Sequence, residues 1–163
     1  MNLNIDFVLL DHISSVMVNK GLTVSVAESC TGGFLSTFFT SKSGASKFFN
    51  GSVTSYSSES KTKLLRLNQD VIDHYGVASK QVAHAMASSV RVKFGTDYGL
   101  STTGYVDKSN DILKDEKNHL YAWIAIANKD RVISDCIFLQ KNRLQNISHV
   151  SYELLNLFRK EIA

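Results

Sequence analysis

A run rich in β-branched side chains, Leu22–Ala27, leads directly into a polar turn that ends in two adjacent glycines. The alternating run predicts a strand, and the apolar stretch 33–40 after the turn predicts a helix. Strand, turn and helix form the first unit of an α/β fold. The turn between them consists of Glu28, Ser29, Cys30, Thr31, Gly32 and Gly33.

Helical and strand patterns alternate along the rest of the chain. Apolar spacing predicts helices over 6–20, 58–65, 71–75, 79–94 and 142–160. Alternation predicts strands over 52–56, 97–103, 120–128 and 131–139, with the polar stretch 107–118 as a loop. Ser58 is the predicted N-cap of the helix over 58–65. Gly104 is predicted to end the strand over 97–103. Helices alternating with strands, followed by a terminal hairpin, predict a mixed sheet covered by helices on both faces.

The composition is that of an ordinary globular domain. With 163 residues, 44% hydrophobic and 20% charged, the chain predicts a single domain over 1–163 that needs no metal or disulfide to fold. The net charge of +3 comes from 18 basic and 15 acidic residues that are interleaved. Because they form no basic stripe, nucleic acid is not an expected partner, and a small anionic ligand is the better match.

The spacing of cysteine and histidine gives no metal-binding pattern. Cys30 and Cys136 lie far apart without a CxxC motif, and the five histidines show no ligand spacing to one another. Residues 1–11 lack the features of a signal peptide, and no apolar run reaches the ~18 residues of a membrane span. The sequence therefore predicts a cytoplasmic protein with reduced thiols, without a metal and without membrane association.

Three polar clusters follow predicted strands, at 28–33, 56–61 and 102–105. Ligand sites of open α/β sheets lie at the carboxyl ends of strands, beside helix N-termini. In the first cluster the glycine pair allows close backbone approach, which suits a phosphate or an oxyanion, and Ser29, Cys30 and Thr31 are three candidate nucleophiles. A capped helix start with packed glycines is the alternative interpretation.

The other clusters offer a base and polar groups. Lys61 lies five residues after Tyr56 at a predicted helix start, where the helix dipole would lower its pKa and suit it to act as a base toward a serine. A solvated lysine is the alternative. Thr103 and Gly104 either present a hydroxyl and a bare N–H to the cleft or form an ordinary turn. Arg143, at the start of the last predicted helix, either binds a phosphate or faces solvent.

Together these turns resemble the C-terminal domain of the CinA (competence-damage inducible) proteins, in order over nearly the whole chain. The most specific parts are the heptapeptide Ala-Glu-Ser-Cys-Thr-Gly-Gly at 27–33 and the motif Tyr-Ser-x-Glu-x-Lys at 56–61. Further matches are 44–46, 48–49, 64–65, 76–79, 82–83, Met86 and 103–104.

The resemblance implies a three-layer α/β/α domain with nicotinamide-nucleotide amidohydrolase activity. Such an enzyme converts nicotinamide mononucleotide to nicotinate mononucleotide and ammonia in NAD recycling, without a cofactor. The resemblance implies that Ser29 attacks the carbonyl, Lys61 carries the proton, and N–H groups near Gly32 and Gly33 hold the oxyanion. The remaining implied site residues are Tyr56 and Thr103, which orient the dyad or the amide, Arg143, which meets the phosphate, and Glu28, Cys30, Thr31, Ser57, Gly104 and Lys117, which bind substrate.

The chain departs from the family pattern after its third strand. Where members continue Thr-Gly-x-Ala-Gly-Pro, residues 106–108 are Val-Asp-Lys, and Asp107 adds a negative charge near the expected phosphate. A second arginine one turn after Arg143 is missing, with Asn146 the nearest candidate. A second hypothesis is therefore a CinA-like domain that has lost catalysis and binds a nucleotide or acts as an interaction module. Homo-oligomer formation is left open.

Overall fold

The computed structural model describes residues 5–108 and 119–163. The helices are α1 Phe7–Lys20, α2 Phe34–Thr40, α3 Ser58–Leu65, α4 Gln69–Tyr75, α5 Lys80–Phe94 and α6 Arg143–Ile162. The strands are β1 Val24–Glu28, β2 Phe49–Thr54, β3 Tyr98–Tyr105, β4 Leu120–Ala127 and β5 Val132–Leu139, and a 3-10 turn, Ala45–Lys47, precedes β2. Within these two described segments, no helix has both the length and the apolar character that a membrane crossing requires.

The strands form one mixed sheet in the order β2-β1-β3-β4-β5. Strand β1 runs parallel to both β2 and β3, and β4 runs antiparallel to both β3 and β5. Glu28, the last residue of β1, lies opposite Thr54 of β2 and Thr102 of β3. The carboxyl ends of the three parallel strands therefore meet at one edge, which brings the polar turns together.

Helices cover both faces of the sheet, which confirms the predicted α/β/α arrangement. One core lies under α1, α2 and α6, and the other lies under α3, α4 and α5. Successive residues of β1 point into opposite cores, Val26 into the first and Ala27 into the second. The five-residue strand is buried throughout, as expected for a central parallel strand covered on both faces.

Helix α5 lies unusually close to β3. A Cβ added at Gly99 would come within 2.1 Å of the carbonyl oxygen of Ala87, so only glycine fits there without a shift of the backbone. Two residues further along the strand, Ser101 Oγ donates a hydrogen bond to the carbonyl oxygen of Ala83 at 2.7 Å. These contacts hold the amino-terminal half of β3 in place, directly before Thr102.

Some predicted boundaries differ from those in the structure. Helix α3 is capped by Ser57 and not by Ser58, because Ser57 and Ser60 exchange side-chain to backbone hydrogen bonds at 3.0 and 3.1 Å. The predicted end of β3 at Gly104 is wrong, since the strand pairs with β4 as far as Tyr105. Strand β2 starts earlier than predicted and ends at Thr54. Most of the predicted loop 107–118, including Lys117, lies outside the described residues.

Candidate active site

Ser29 and Lys61 form a hydrogen-bonded pair at the carboxyl edge of the sheet. Lys61 Nζ lies 2.8 Å from Ser29 Oγ and donates a second hydrogen bond, also 2.8 Å long, to the carbonyl oxygen of Ser55. The backbone N–H of Ser29 donates to the carbonyl oxygen of Thr102 at 3.1 Å, which ties the nucleophile candidate to β3. Ser29 is 7% exposed and Lys61 is 1% exposed, so little water reaches the pair.

Burial lowers the pKa of Lys61 from 10.5 to about 8. The sequence predicted a lowered pKa from the helix dipole, but α3 begins at Ser58 and Lys61 lies one turn inside it. The main cause is that the amine is removed from water, which disfavours its charged form. A large fraction of Lys61 is therefore neutral near pH 8 and can accept a proton.

The structure separates the three candidate nucleophiles. Burial raises the pKa of the Cys30 thiol to about 12, so this thiol stays protonated and a poor nucleophile. Thr31 Oγ1 donates to Glu28 Oε2 at 2.7 Å and shares a hydrogen bond with Thr102 Oγ1 at 2.8 Å, which is a structural arrangement. Of the three, Ser29 is the one whose side chain forms a hydrogen bond with the Lys61 amine.

Glu28 occupies the N-terminus of α2 with its own carboxylate. Its two oxygens accept hydrogen bonds from the backbone N–H groups of Gly33, Leu35 and Ser36, at 2.9 to 3.1 Å. They also accept from the hydroxyls of Thr31 and Ser36, both at 2.7 Å. The anion at this positive helix end thus belongs to the protein, and the prediction that Glu28 binds substrate is replaced by a role in holding the turn.

The predicted oxyanion donors are already in use. The N–H of Gly32 donates to the carbonyl oxygen of Ser29 at 3.1 Å, and the N–H of Gly33 donates to Glu28 Oε2 at 3.0 Å. By contrast, the N–H groups of Cys30 and Thr31 donate to no other described residue, and that of Cys30 interacts only with its own thiol. These two amides directly follow Ser29, which is where acyl-transfer enzymes commonly place an oxyanion donor.

Tyr56 and Arg143 meet at the exposed rim of the site. Arg143 Nη2 donates to the Tyr56 hydroxyl, and Arg143 Nη1 lies 3.9 Å from Asp107 Oδ2. Tyr56 is 59% exposed, so its hydroxyl contacts the guanidinium and not the buried amine. No hydrogen bond among the described residues therefore supports the prediction that Tyr56 orients the dyad. The hydrogen bond between Tyr56 and Arg143 was not predicted.

Thr103 and Gly104 do not take their predicted places at the cleft. Thr103 Oγ1 donates to the carbonyl oxygen of Val77 at 2.6 Å, on the face of the sheet covered by α5. A Cβ at Gly104 would lie 2.4 Å from the Cα of Ala122, so this glycine is explained by its contact with β4. The neighbouring Thr102 points to the site instead, because side chains alternate along a strand that continues past Gly104.

Asn146, at the position of the missing arginine, is a buried structural residue. Its Nδ2 donates to the carbonyl oxygens of Val106 and Lys141, at 2.9 and 2.7 Å, and its Oδ1 accepts from the N–H of Lys141 at 3.0 Å. The side chain thereby fixes the residue just before Asp107. This role could not be predicted from the sequence, because an asparagine that is buried in the fold is the same letter as one at the surface.

Two surface cavities lie away from the pair. The larger, about 690 Å³, is lined by Asp107, Leu120 and Phe138 among others, and the smaller, about 280 Å³, lies between α1 and the turn that precedes β2. Neither is lined by Ser29 or Lys61. The larger cavity adjoins the rim formed by Asp107, so it is the nearer of the two to the polar groups of the site.

The fold and the site define an α/β/α domain with a buried serine–lysine pair at the carboxyl edge of a mixed sheet, an arrangement suited to acyl transfer. A profile of the CinA C-terminal domain matches residues 7–162. The chain belongs to this family, as its motifs predicted.

Individual relatives agree with this assignment. A CinA-like protein from Amoebophilus asiaticus is 33% identical over 150 residues, which are 92% of this chain and 36% of the relative. One from Flavobacterium psychrophilum is 35% identical over 92% of this chain and 35% of its own length. The chain thus spans about a third of these relatives. The solved competence damage-inducible protein A of Klebsiella pneumoniae has the same fold, with a TM-score of 0.90 at 17% identity and 98% coverage of both chains.

Proposed function

We propose that this domain hydrolyses the carboxamide of nicotinamide mononucleotide to nicotinate mononucleotide and ammonia, with Ser29 as nucleophile and Lys61 as base. The observation that carries the proposal is the 2.8 Å hydrogen bond between Lys61 Nζ and Ser29 Oγ in a buried site. The choice of substrate rests on the family resemblance, and the choice of nucleophile and base rests on this hydrogen bond. No metal or cofactor takes part in the proposed reaction.

The proposed reaction has two halves that share one proton carrier. Ser29 Oγ bonds to the amide carbon while its proton moves to neutral Lys61, and Lys61 then protonates the nitrogen as the C–N bond breaks and ammonia leaves. Water attacks the resulting acyl-serine, gives its proton to Lys61, and releases the acid as Ser29 Oγ regains that proton. A pKa of about 8 for Lys61 suits both directions of transfer near neutral pH.

The oxyanion of each tetrahedral intermediate needs hydrogen-bond donors that are not otherwise engaged. Among the described residues, the N–H group of Thr31 meets that requirement and that of Cys30 interacts only with its own thiol, whereas those of Gly32 and Gly33 are engaged by other residues. We therefore assign the oxyanion to Cys30 and Thr31. Preorganised backbone donors of this kind supply a large part of the stabilisation in acyl-transfer enzymes.

The substrate phosphate is assigned to Arg143 at the rim. The Arg143 side chain is 45% exposed and its guanidinium donates to the Tyr56 hydroxyl, so it can present further N–H groups to an anion. Tyr56 directly follows Ser55, whose carbonyl oxygen holds Lys61. The phosphate site and the dyad are therefore connected through two consecutive residues.

The test is ammonia release from nicotinamide mononucleotide by the purified protein and two single variants. Ser29→Ala is expected to lower the rate by about 10³-fold or more, because it removes the nucleophile. Cys30→Ala, a neighbouring buried change that leaves its N–H group in place, is expected to keep the rate within a few-fold. Equal rates for the wild-type protein and Ser29→Ala would rule out the serine mechanism.

A second candidate function is a domain that binds a nucleotide without hydrolysing it, or that serves only as an interaction module. The observation that favours it is Asp107, whose carboxylate lies 3.9 Å from Arg143 and competes with a phosphate. Calorimetric titration with nicotinamide mononucleotide separates the cases. Saturable binding without ammonia release would indicate the nucleotide-binding module. The absence of both binding and ammonia release would indicate the interaction module. Ammonia release would exclude both of these alternatives.

Asp107→Asn is expected to lower the KM for nicotinamide mononucleotide by about two- to fivefold, without a large change in kcat. The substitution removes a negative charge beside the phosphate and frees Arg143, and an exposed charge pair is worth about 1 kcal/mol or less. Steady-state kinetics at low and high salt measures the effect, which should shrink as salt screens the charge. Asp130→Asn, in the distant β4–β5 turn, is the control, and an unchanged KM in Asp107→Asn would remove Asp107 from substrate selection.

A further inference from the structure

The side-chain hydroxyl of Ser55 is buried next to the dyad and lacks a hydrogen-bond partner. Ser55 follows β2, is 0% exposed, and its Oγ is the sole buried side-chain nitrogen or oxygen without a partner in residues 5–108 and 119–163. Buried hydroxyls are nearly always hydrogen-bonded, because leaving one unpaired destabilises the folded state. An unpaired hydroxyl at this position therefore calls for a functional explanation.

The backbone of Ser55 is fixed on both sides of that hydroxyl. Its N–H donates to the carbonyl oxygen of Glu28 at 2.8 Å, which extends the pairing of β2 with β1. Its carbonyl oxygen accepts from Lys61 Nζ at 2.8 Å. The unpaired hydroxyl therefore belongs to the residue that anchors the proposed base, and rotation about one side-chain bond moves it without disturbing that anchor.

Lys61 in turn has fewer acceptors than its charged form can use. An ammonium group has three N–H donors, and the acceptors for Lys61 among the described residues are Ser29 Oγ and the carbonyl oxygen of Ser55. In neutral Lys61 the lone pair faces the Ser29 proton, and one of the two N–H donors has the carbonyl oxygen of Ser55 as its acceptor. Once Lys61 has taken that proton, Ser29 Oγ becomes an acceptor, but one N–H of the ammonium group still has none, and an unpaired donor is more costly on a charged group.

We propose that Ser55 is a positioning residue whose hydroxyl turns to accept the third N–H of Lys61 whenever Lys61 carries the proton from Ser29. The proposal rests on the serine–lysine reaction proposed above and adds a group that stabilises its charged intermediates. The hydrogen bond matters most while Lys61 is charged, because an unpaired N–H costs more on a charged group than on a neutral one. A hydroxyl without this role would be a packing defect, and its removal would change stability alone.

The test compares Ser55→Ala with Ser101→Ala, a matched change at another fully buried serine. Ser55→Ala should lower kcat by about 10- to 100-fold, the range for a hydrogen bond to a charged group, with KM within about twofold of wild type. Its melting temperature should stay the same or rise, since no hydrogen bond is lost. Ser101→Ala loses the bond to Ala83 and should melt lower while keeping its kcat.

The pH dependence of kcat/KM distinguishes a positioning role of Ser55 from a purely structural one, which would leave that dependence unchanged. Among the described residues, the titratable group that acts on Lys61 is the Cys30 thiol, on the turn after β1. Loss of the hydroxyl should shift the acidic limb of kcat/KM to lower pH, because the ammonium form of Lys61 loses an acceptor. Ser55→Thr keeps a hydroxyl, so its kcat and the acidic limb of its kcat/KM profile should be those of the wild-type protein.

A kcat within twofold of wild type in Ser55→Ala, or a melting temperature that falls as it does in Ser101→Ala, would overturn the proposal. Sulfonylation of Ser29 by phenylmethylsulfonyl fluoride keeps the test independent of the substrate. If nicotinamide mononucleotide is not hydrolysed but sulfonylation is slower in Ser55→Ala than in wild type, the role of Ser55 stands and the assigned substrate is wrong. Equal sulfonylation rates would refute the role of Ser55.

Discussion

Lys61→Met is expected to lower amide hydrolysis by about 10²- to 10⁴-fold, the usual contribution of a positioned base. The substitution keeps the length and apolar stem of the side chain and removes the amine that lies 2.8 Å from Ser29 Oγ. Since Lys61 carries the proton in both half-reactions, acylation and deacylation should both slow. Ammonia release measured from pH 6 to 9 tests this, with Lys63→Met as the control.

Lys63 is a close control because it lies on the same helix, two residues away, but has an exposed side chain. It pairs with Glu59 one turn earlier at 2.5 Å, at the surface. Its loss should leave the rate within twofold of wild type. A similar loss of activity in both variants would mean that the general charge of α3 matters, and not a base at position 61.

The same substitution should also change how stability depends on pH. In the unfolded chain Lys61 titrates near 10.5, and in the folded protein near 8, so between these values the unfolded state binds more protons. The free energy of unfolding of the wild-type protein should therefore rise with pH above about 8. Relative to Lys61→Met, the wild-type protein should gain about 1 kcal/mol between pH 7 and 9.

Urea unfolding at several pH values measures this difference. Subtracting the values for Lys61→Met removes the contribution of groups that both proteins share, including the raised pKa of the Cys30 thiol, which acts in the opposite direction above pH 9. A difference that stays constant from pH 7 to 9 would show that Lys61 is charged in the folded protein, and it would argue against a role as base.

The pairing of Ser29 with Lys61 could be predicted from the sequence because Ser29 lies in the polar turn after β1 and Lys61 lies near the start of the helix that follows β2. Segments that follow parallel strands converge at one edge of the sheet, and the family motifs name the same two positions. The sequence could not show which anion fills the N-terminus of α2. Both an external phosphate and the carboxylate of Glu28 fit a polar turn with two glycines, and the choice depends on where one side chain points.

The error at Thr103 has a specific physical source. A strand that stopped at Gly104 would free Thr103 for the cleft, but the glycine instead allows β4 to approach closely and the strand continues. Because β3 continues past Gly104, its side chains alternate between the two faces of the sheet, so Thr102 points toward the site and Thr103 points away from it. Similarly, Ser55 carries no sequence signal, because the lack of a partner is a property of the packed site.

Glu28→Ala is expected to lower the free energy of unfolding by about 3–5 kcal/mol, the range for removing one member of a buried charged network. The carboxylate accepts five hydrogen bonds, three of them from backbone N–H groups at the start of α2. Without it, the buried N–H group of Leu35 and the half-buried ones of Gly33 and Ser36 lose their acceptor at a position that is fully buried in the wild-type protein. Urea unfolding followed by circular dichroism measures the loss.

Glu28→Gln separates the charge from the shape. Its amide oxygen can replace Oε2 and keep the hydrogen bonds from Thr31, Gly33 and Leu35, but its NH₂ group then faces the N–H of Ser36. The loss should therefore be smaller, about 1–3 kcal/mol. Glu59→Ala, at the surface, should stay within about 0.5 kcal/mol of wild type. If Glu28→Ala proves as stable as Glu59→Ala, the N-terminus of α2 is held by other contacts, and Ser29 is positioned by β3 alone.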